Sequence, residues 1–366
     1  MKDLESLPPE ERERLRQTGL EMDFSRRSGS YFQKDQEVVH ATSTAEGVEI
    51  MGLSEALEKY DGLKDYYWKA VSPEKDRVTK FVAKQQEPRG VVVIAREGAK
   101  TTLPLQACLY LSEETIQHVH NLFIAEQGAE VHIISGCASA SYRYHGSHMG
   151  VSEFYIDKNA HITSTMIHNW GDKITVFPRS AAVVGENGLF LSNYVCMNPV
   201  RKIEMYPTAT LAGENAVARF SSVVMAHPNS HLDIGSRAIL SGRRTSAELI
   251  TRAITRGGTV ISRGHIVGAS EGTRGHIECR GLILEDGLVH AIPEIEGRVV
   301  GTELSHEAAV GKIAQDEIDY LISRGLDEEV ATATIIRGFL DVKIQGLPDA
   351  LQQQIDAAID AAERGF

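Results

Sequence analysis

Gly128-Ala129-Glu130-Val131-His132-Ile133-Ile134 decides the fold: a corner of two small residues followed by a short run of strand formers. The unit returns along the chain. Corners of this kind stand at Gly98-Ala99, Gly128-Ala129, Asn159-Ala160, Asn187-Gly188 and Asn215-Ala216, at steps of about 30, 31, 28 and 28 residues, and Gly257-Gly258 continues the series less regularly. Glycine and asparagine tolerate the tight or left-handed backbone that such corners need. Runs such as Val91-Val92-Val93-Ile94 and Phe154-Tyr155-Ile156 lie between them. Repetition on this scale is the mark of a solenoid. A β-helix fits better than a β-sandwich, because the repeat continues for roughly 200 residues with little long-helix pattern inside it.

Outward from this core the period changes. Residues 1–88 read as an N-terminal, mainly helical region: a charged segment from Pro8 to Leu20 that suits a short helix, an extended or mobile connector from Arg26 to Gly47, and helices beginning near Ser54 and at Ser72-Pro73. In the last, Ser72 is placed to cap the free amides and Pro73 to occupy the first turn. Residues 89–304 form the β-helix core, and residues 305–366 a C-terminal helical region. There Ile318, Leu321 and Ile322 make one apolar face, ended by Gly325; Asp327 caps a second helix with Val330, Thr334, Ile335, Gly338 and Phe339, and a third begins at Pro348. These stripes serve either internal packing or the docking of a partner. The fold class is therefore mainly β, a parallel β-helix core flanked by helical regions at both ends.

A chain of 366 residues exceeds the usual single core, which suits a solenoid growing along one axis. Its net charge of -12 argues against nucleic acid as the main partner. The one basic concentration is Arg243-Arg244 with Arg252, Arg256, Arg263, Arg274 and Arg280; a solvated strand edge explains it better than an anion site. No segment has the 18 or so apolar residues needed to cross a membrane, and the acidic N-terminus lacks a signal-like apolar stretch. A cytoplasmic protein with reduced thiols is expected.

Chemistry concentrates between Cys279 and Lys312. A lone cysteine in a strand-like segment is followed by His290-Ala291-Ile292-Pro293 and then by Ser305-His306-Glu307. Thiolate, imidazole and carboxylate are ligand types that iron accepts. The four cysteines, 108, 137, 196 and 279, are scattered with no Cys-x-x-Cys pair, so a structural zinc site is not expected. Val310 stands where a zincin helix would need its second histidine. Read without other context, Cys279 is a packed thiol and Ser305 a helix cap, with Glu307 favourable in the first turn. Cys108 and Cys196 read as core, and His145 and His148, three apart, as surface polar residues rather than a metal pair. No phosphate-binding G-x-x-x-x-G-K-[ST] loop occurs, so nucleotide hydrolysis would belong to another chain.

Several separated motifs resemble the SufB/SufD family of iron-sulfur cluster assembly proteins: Ser305 to Ile313 with Asp316 to Leu326, Pro104-Leu105-Gln106-Ala107, Gly136-Cys137, and Ile167-His168-Asn169-Trp170. They cover residues 90 to 345 in the family's order. The resemblance implies a right-handed β-helix and a scaffold that carries a transient iron-sulfur cluster on Cys279, His306 and Glu307. It implies a SufC-type ABC ATPase docked through Asp316 to Leu340. It further marks Cys137 as an acceptor of sulfur from a donor protein, and His168 and Trp170 as lining an internal route; a core role for Cys137 stays equally open. Tyr110, Ser112 and Pro178 depart from the bacterial SufB pattern, which weakens the internal route. Cys279 and Glu307 are SufB-like, whereas Ser305-His306 with Val310-Gly311 reads as SufD-like. One polypeptide carrying both halves of an interface implies a homodimer, with Cys279 of one subunit meeting His306 of the other. Two other readings are a SufD-like structural partner that binds no cluster, and a β-helix enzyme acting on carbohydrate or acyl groups.

Overall fold

The computed structural model describes residues 4, 7–113, 115–142 and 145–340. From Val91–Ala95 onward the strands alternate between two ten-stranded sheets, with Lys202–Met205 and Thr208–Leu211 together making one passage, so the neighbour of each within its sheet is the strand one circuit later. One row of the first sheet runs Glu130, His161, Leu189, Val217, Ser246, Arg274, Glu303, every step parallel. The chain is mainly β and forms a β-helix, as its repeat predicts. Inward positions alternate with outward ones, and the lumen is filled by aliphatic side chains and a stack of Phe123, Phe154, Phe190 and Phe220, with ring centroids 4.7, 5.0 and 5.9 Å apart.

One corner of every coil is left-handed. Gly98, Gly128, Asn159, Asn187, Asn215, Arg244, Gly272 and Gly301 all have positive φ. The amide of Asn159 donates to Glu186 O in the next coil (2.8 Å), and those of Asn187 and Asn215 donate to Glu214 O and Arg243 O (2.8 and 3.0 Å). The asparagine side chains form their own ladder, Asn215 Nδ2 to Asn187 Oδ1 and Asn187 Nδ2 to Asn159 Oδ1, each 3.0 Å. Gly257-Gly258 does not continue this series. It lies on the opposite corner, between the strands Ser246–Thr255 and Thr259–Gly268. The true continuation is Arg244, which is not a small residue; it adopts φ of 56° while its Nε donates to Asn215 Oδ1 (3.1 Å) and its guanidinium pairs with Glu214 (2.7 Å).

The N-terminal region differs from the expectation. Helices α1 (Pro9–Arg16), α2 (Leu53–Lys59) and α3 (Arg77–Ala83) are present, but residues 26–47 are not a connector. Gly29–Lys34 pairs parallel with Leu105–Leu111 and antiparallel with Glu37–Ser43, and Val48–Gly52 pairs antiparallel with Val91–Ala95, so these strands extend both sheets. Gly29–Lys34 is buried on both faces, which removes the alternation that would have announced it. Ser72-Pro73 forms a turn instead of a helix start. Asp76 caps α3: its Oδ1 accepts from Val78 N and Thr79 N, and its own amide donates to Thr79 Oγ1.

Between α2 and α3 the chain is tied to the second sheet by one buried carboxylate. Glu153 accepts from the amides of Trp68 (2.8 Å), Ala70 (2.6 Å) and Val71 (2.8 Å) and from His120 Nε2 (2.7 Å). Burial lowers the pKa of His120, so the ring is neutral, its Nε2–H points at Glu153, and Nδ1, against Trp68 and Tyr67, has no hydrogen-bond partner among the described residues.

At the other end the helical region begins later than residue 305. Glu303–Gly311 is a strand, paired parallel with Arg274–Ile283. Only then come α4 (Gln315–Ser323) and α5 (Glu328–Leu340). Gly325 ends α4 as expected: with φ of 95°, its amide donates to Ile322 O and that of Leu326 to Leu321 O. The buried side of α5 carries Ala331 and Ile336, not Val330, and Ile336 and Phe339 join an apolar cluster that includes Val223, Met225 and Ile254 of the first sheet. Nothing in α4 is buried, and Tyr320 and Ile322 are exposed. The helix expected from Pro348 lies outside the described residues. No helix among the described residues is long and apolar enough to cross a membrane.

Candidate functional site

Strand alternation places Cys279 inward, between Ile277 and Gly281, and leaves it almost fully buried. Ser262 Oγ donates to its Sγ at 3.6 Å. Burial raises the pKa of the thiol, and the serine partly offsets this. Across the last parallel step, Ile277 pairs with His306, Glu278 with Glu307 and Cys279 with Ala308. His306 therefore shares the inward side with Cys279, whereas Glu307 faces outward with Glu278. Arg280 holds both carboxylates, Nε to Glu278 Oε1 at 2.8 Å and Nη2 to Glu307 Oε1 at 2.9 Å, and Arg252 closes on Glu278 from the previous coil at 2.8 Å. One chain thus brings Cys279 and His306 to the same side and does not bring Glu307 to them. Among the described residues no group of three or more His, Cys, Asp or Glu side chains is placed to hold a metal ion.

His306 and Glu307 are exposed because their strand is the last of its sheet. The other sheet ends in Leu288–Gly297, with Leu288 and Ile295 exposed. The solenoid finishes on two strand edges, with residues of the inward row open to solvent.

A second cluster lies in the lumen. Cys137 is buried, which pushes its pKa up to about 12, and it lines a cavity of about 20 Å³ with His148, His168, Asn121, Met166 and Phe154. His148 is not the surface residue expected beside His145: it is buried, with Nδ1 donating to Gln117 Oε1 at 2.9 Å. His168 Nδ1 meets Tyr194 OH at 2.9 Å, while His168 Nε2 and Trp170 Nε1 have no hydrogen-bond partner among the described residues. Burial holds both imidazoles neutral, His148 at about 4 and His168 well below its ordinary value. Phe154 and Met166 separate this cavity from one of about 40 Å³ lined by Ser164, Ser180, Ser192, Ser222 and Ser236. Cys108 and Cys196 are core residues, as expected.

The arginines are not a strand-edge feature. They pair with acids of neighbouring coils: Arg243 with Glu271, Arg244 with Glu214, Arg256 with Glu285, Arg263 with Asp233 and Arg274 with Glu303. Sequence reading missed Ser262 and Tyr194, and it counted Arg280 only as one of a basic run. Writing the chain in rows of one coil would have set Arg252, Arg280 and Glu278 beside one another.

Residues 109–339, a stretch that holds both cysteine clusters, match the SUF system FeS cluster assembly, SufBD core domain. The chain belongs to the SufBD family. It is 48% identical over 355 residues to an iron-sulfur cluster assembly SufBD family protein of Archaeoglobus fulgidus, covering 97% of this chain and 95% of the relative. A Methanothermobacter thermautotrophicus protein of the same name is 43% identical over 366 residues (98% and 89%), and Staphylococcus aureus SufBD proteins are 32% identical over 333 residues (88% and 71%). The SufBD match begins in the strand that follows the N-terminal additions and ends in α5, so α1 lies before it.

Proposed function

We propose that this SufBD protein is a cytoplasmic scaffold on which an iron-sulfur cluster is assembled as cargo, at a seam between two copies of the chain. The observation that carries the reading is the position of Cys279 and His306 on one side of the last two strands, at an end where, among the described residues, the solenoid stops with unpaired edges. Such edges recruit another strand, and a two-fold axis pairs an edge with its own copy in antiparallel sense. A second Cys279, His306 and Glu307 then approach the same seam. A mixed set of thiolate, imidazole and carboxylate holds a cluster loosely enough to release it.

Sulfur enters this scheme through Cys137. Its thiolate attacks the terminal sulfur of a donor persulfide R–S–SH, forming Cys137–S–SH and releasing R–S⁻. His168, Trp170 and the serine-lined cavity lead from there toward Ser262 and Cys279. The exposed Tyr320 and Ile322 of α4 offer a docking face to a SufC-type ATPase through Asp316 to Leu340, which supplies the nucleotide chemistry this sequence lacks.

The pinning of Glu307 by Arg280 favours a second reading, a SufD-like partner that binds no cluster. Anaerobic reconstitution with ferrous iron and sulfide separates the two by visible absorption. The scaffold reading expects a charge-transfer band in the wild type and its loss in Cys279→Ser. Equal bands in both would remove Cys279 from the site, and no band in either would favour the structural partner.

A further inference from the structure

Arg237 is partly buried on the outer face of the second sheet, in a row that runs Ala181, Thr208, Arg237, His265, Glu294 across neighbouring strands. Its Nε is sealed from solvent and has no hydrogen-bond partner, and its guanidinium is in no ion pair, among the described residues. The turn before α3 brings a second cation here. Asp76 of that turn is bonded to Arg179 Nε, and Arg179 Nη1 donates to Glu204 O at 2.7 Å, which fixes the turn over the strand Lys202–Met205. Lys75, the residue before, has no side-chain partner among the described residues. Partial burial, then Arg179, holds its ammonium below the ordinary value; Arg237 adds to this, and Asp76 opposes it. Tyr206 stands between the strands Lys202–Met205 and Thr208–Leu211, next to Pro207, whose carbonyl accepts from Arg237 N at 2.8 Å. Burial and Glu294 raise the pKa of its hydroxyl, while Arg237 and Arg263 draw it down, so the group stays protonated within reach of both guanidiniums.

Most acids of this face are already taken. Asp76 is held by Arg179, Glu204 by Lys202 (2.6 Å) and Arg77 (3.5 Å), Asp233 by Arg263 (2.6 Å) and Glu296 by Arg298 (2.7 Å). Glu294 has no ion pair among the described residues, and its charge reaches Tyr206. Lys75 and Arg237 are cations left over, in a chain whose net charge is -12. A guanidinium edge buried without an acceptor is a standing cost that an oxyanion removes, and its planar fork suits two oxygens of one group. The three free donors come from a turn, a strand and the break between two strands. A carboxylate offers its oxygens in one plane, whereas a tetrahedral group accepts from all three.

We propose that Lys75, Arg237 and Tyr206 form a binding site for the phosphate group of a small molecule, on the sheet that does not carry Cys137 and Cys279. The site depends on neither cysteine, and its test needs no iron or sulfide. Isothermal titration calorimetry of the full-length protein at low chloride, with inorganic phosphate and with AMP, reads it. Saturable binding at one site per chain is expected, weakened about tenfold by Arg237→Gln and about threefold by Lys75→Gln. Glu294→Gln should tighten it about twofold, and Arg243→Gln, an arginine paired with Glu271 elsewhere on the solenoid, should leave it unchanged. Tighter binding of AMP assigns a ligand that carries the group on a larger body, and binding of phosphate alone assigns the free anion. Absence of saturable heat with either below about 10 mM overturns the site. Wild-type affinity in Arg237→Gln overturns it as well, and so does an equal loss in Arg243→Gln, which would mean counterion exchange with the whole surface. Should Arg237→Gln not fold, Lys75→Gln, on a turn outside both sheets, is judged by the same outcomes.

Discussion

Glu307 stands directly opposite Glu278 across the last parallel step of its sheet, on the outer face, with Arg280 bonded to both. Two carboxylates facing each other on neighbouring strands repel, so the arginine is what makes the pairing tolerable. Arg280→Ala should lower stability by roughly 1 kcal/mol, chiefly through the half-buried Glu278. Urea denaturation of the variant, compared with Arg280→Ala/Glu307→Gln, checks this: restoring neutrality at 307 should recover part of the loss.

Ser262 supplies the hydrogen bond that offsets the burial of Cys279. Ser262→Ala should therefore push the thiol higher still and slow its alkylation at any given pH. The rate-against-pH curve of Cys279 labelling should move to higher pH in the variant; movement the other way would show that the serine does not stabilise the thiolate.

Burial pushes the Glu153 carboxyl up, but His120 and the amides of Val71 and Trp68 outweigh it and leave the pKa below the ordinary carboxylate value of 4.5. A depressed folded-state pKa contributes stability that is complete above the unfolded value and is lost as pH falls through the folded one. The wild type should thus lose stability as pH drops below about 4.5, the ordinary glutamate value. Glu153→Gln should cost about 3 kcal/mol at pH 7, because its one carbonyl oxygen cannot serve both the Trp68 side and the Ala70–Val71 side, and should show a shallower acid limb in urea titrations, because the titrating carboxyl is gone.

Asn187 separates side-chain bonding from backbone conformation. At φ of 54° an alanine is strained, whereas glycine is not. Asn187→Ala should destabilise by about 1–2 kcal/mol and Asn187→Gly by less, although both lose the ladder bonds. If glycine is the worse of the two by thermal denaturation, the ladder matters more than the turn.

If α4 receives an ATPase, Tyr320→Asp should abolish co-purification of a SufC-type partner while the melting temperature of the isolated protein stays within about 1 °C, since the ring packs on nothing buried. A large drop in melting temperature would instead assign Tyr320 to the fold.

The corner series from Gly98 to Asn215 was legible because glycine and asparagine advertise a left-handed turn. Arg244 hid the next member, since its conformation is imposed by coils already stacked on either side. Gly29–Lys34 was illegible for another reason: a strand covered on both faces has no polar alternation to read. The identity of Cys279, His306 and Glu307 was visible in the sequence, but their facing was not. Ser305-His306-Glu307 carries the marks of a helix start, and only the pairing with Arg274–Ile283 makes it a strand and sends Glu307 outward. The bonds of α1, from Arg14 to Ser139 and Asn169 and from Glu11 to Ser141, join residues more than a hundred positions apart, beyond any local pattern.

Cys137 and Cys279 sit on strands of one sheet five steps apart, with the strands that begin at His161, Leu189, Val217 and Ser246 between them. At about 4.8 Å per step the two thiols are separated by roughly 24 Å along the axis. The solenoid is in this sense a ruler graduated in whole coils. Inserting or deleting one coil changes that span by about 4.8 Å and turns neither thiol away from the lumen, so the distance between the two thiols can change only in whole-coil increments.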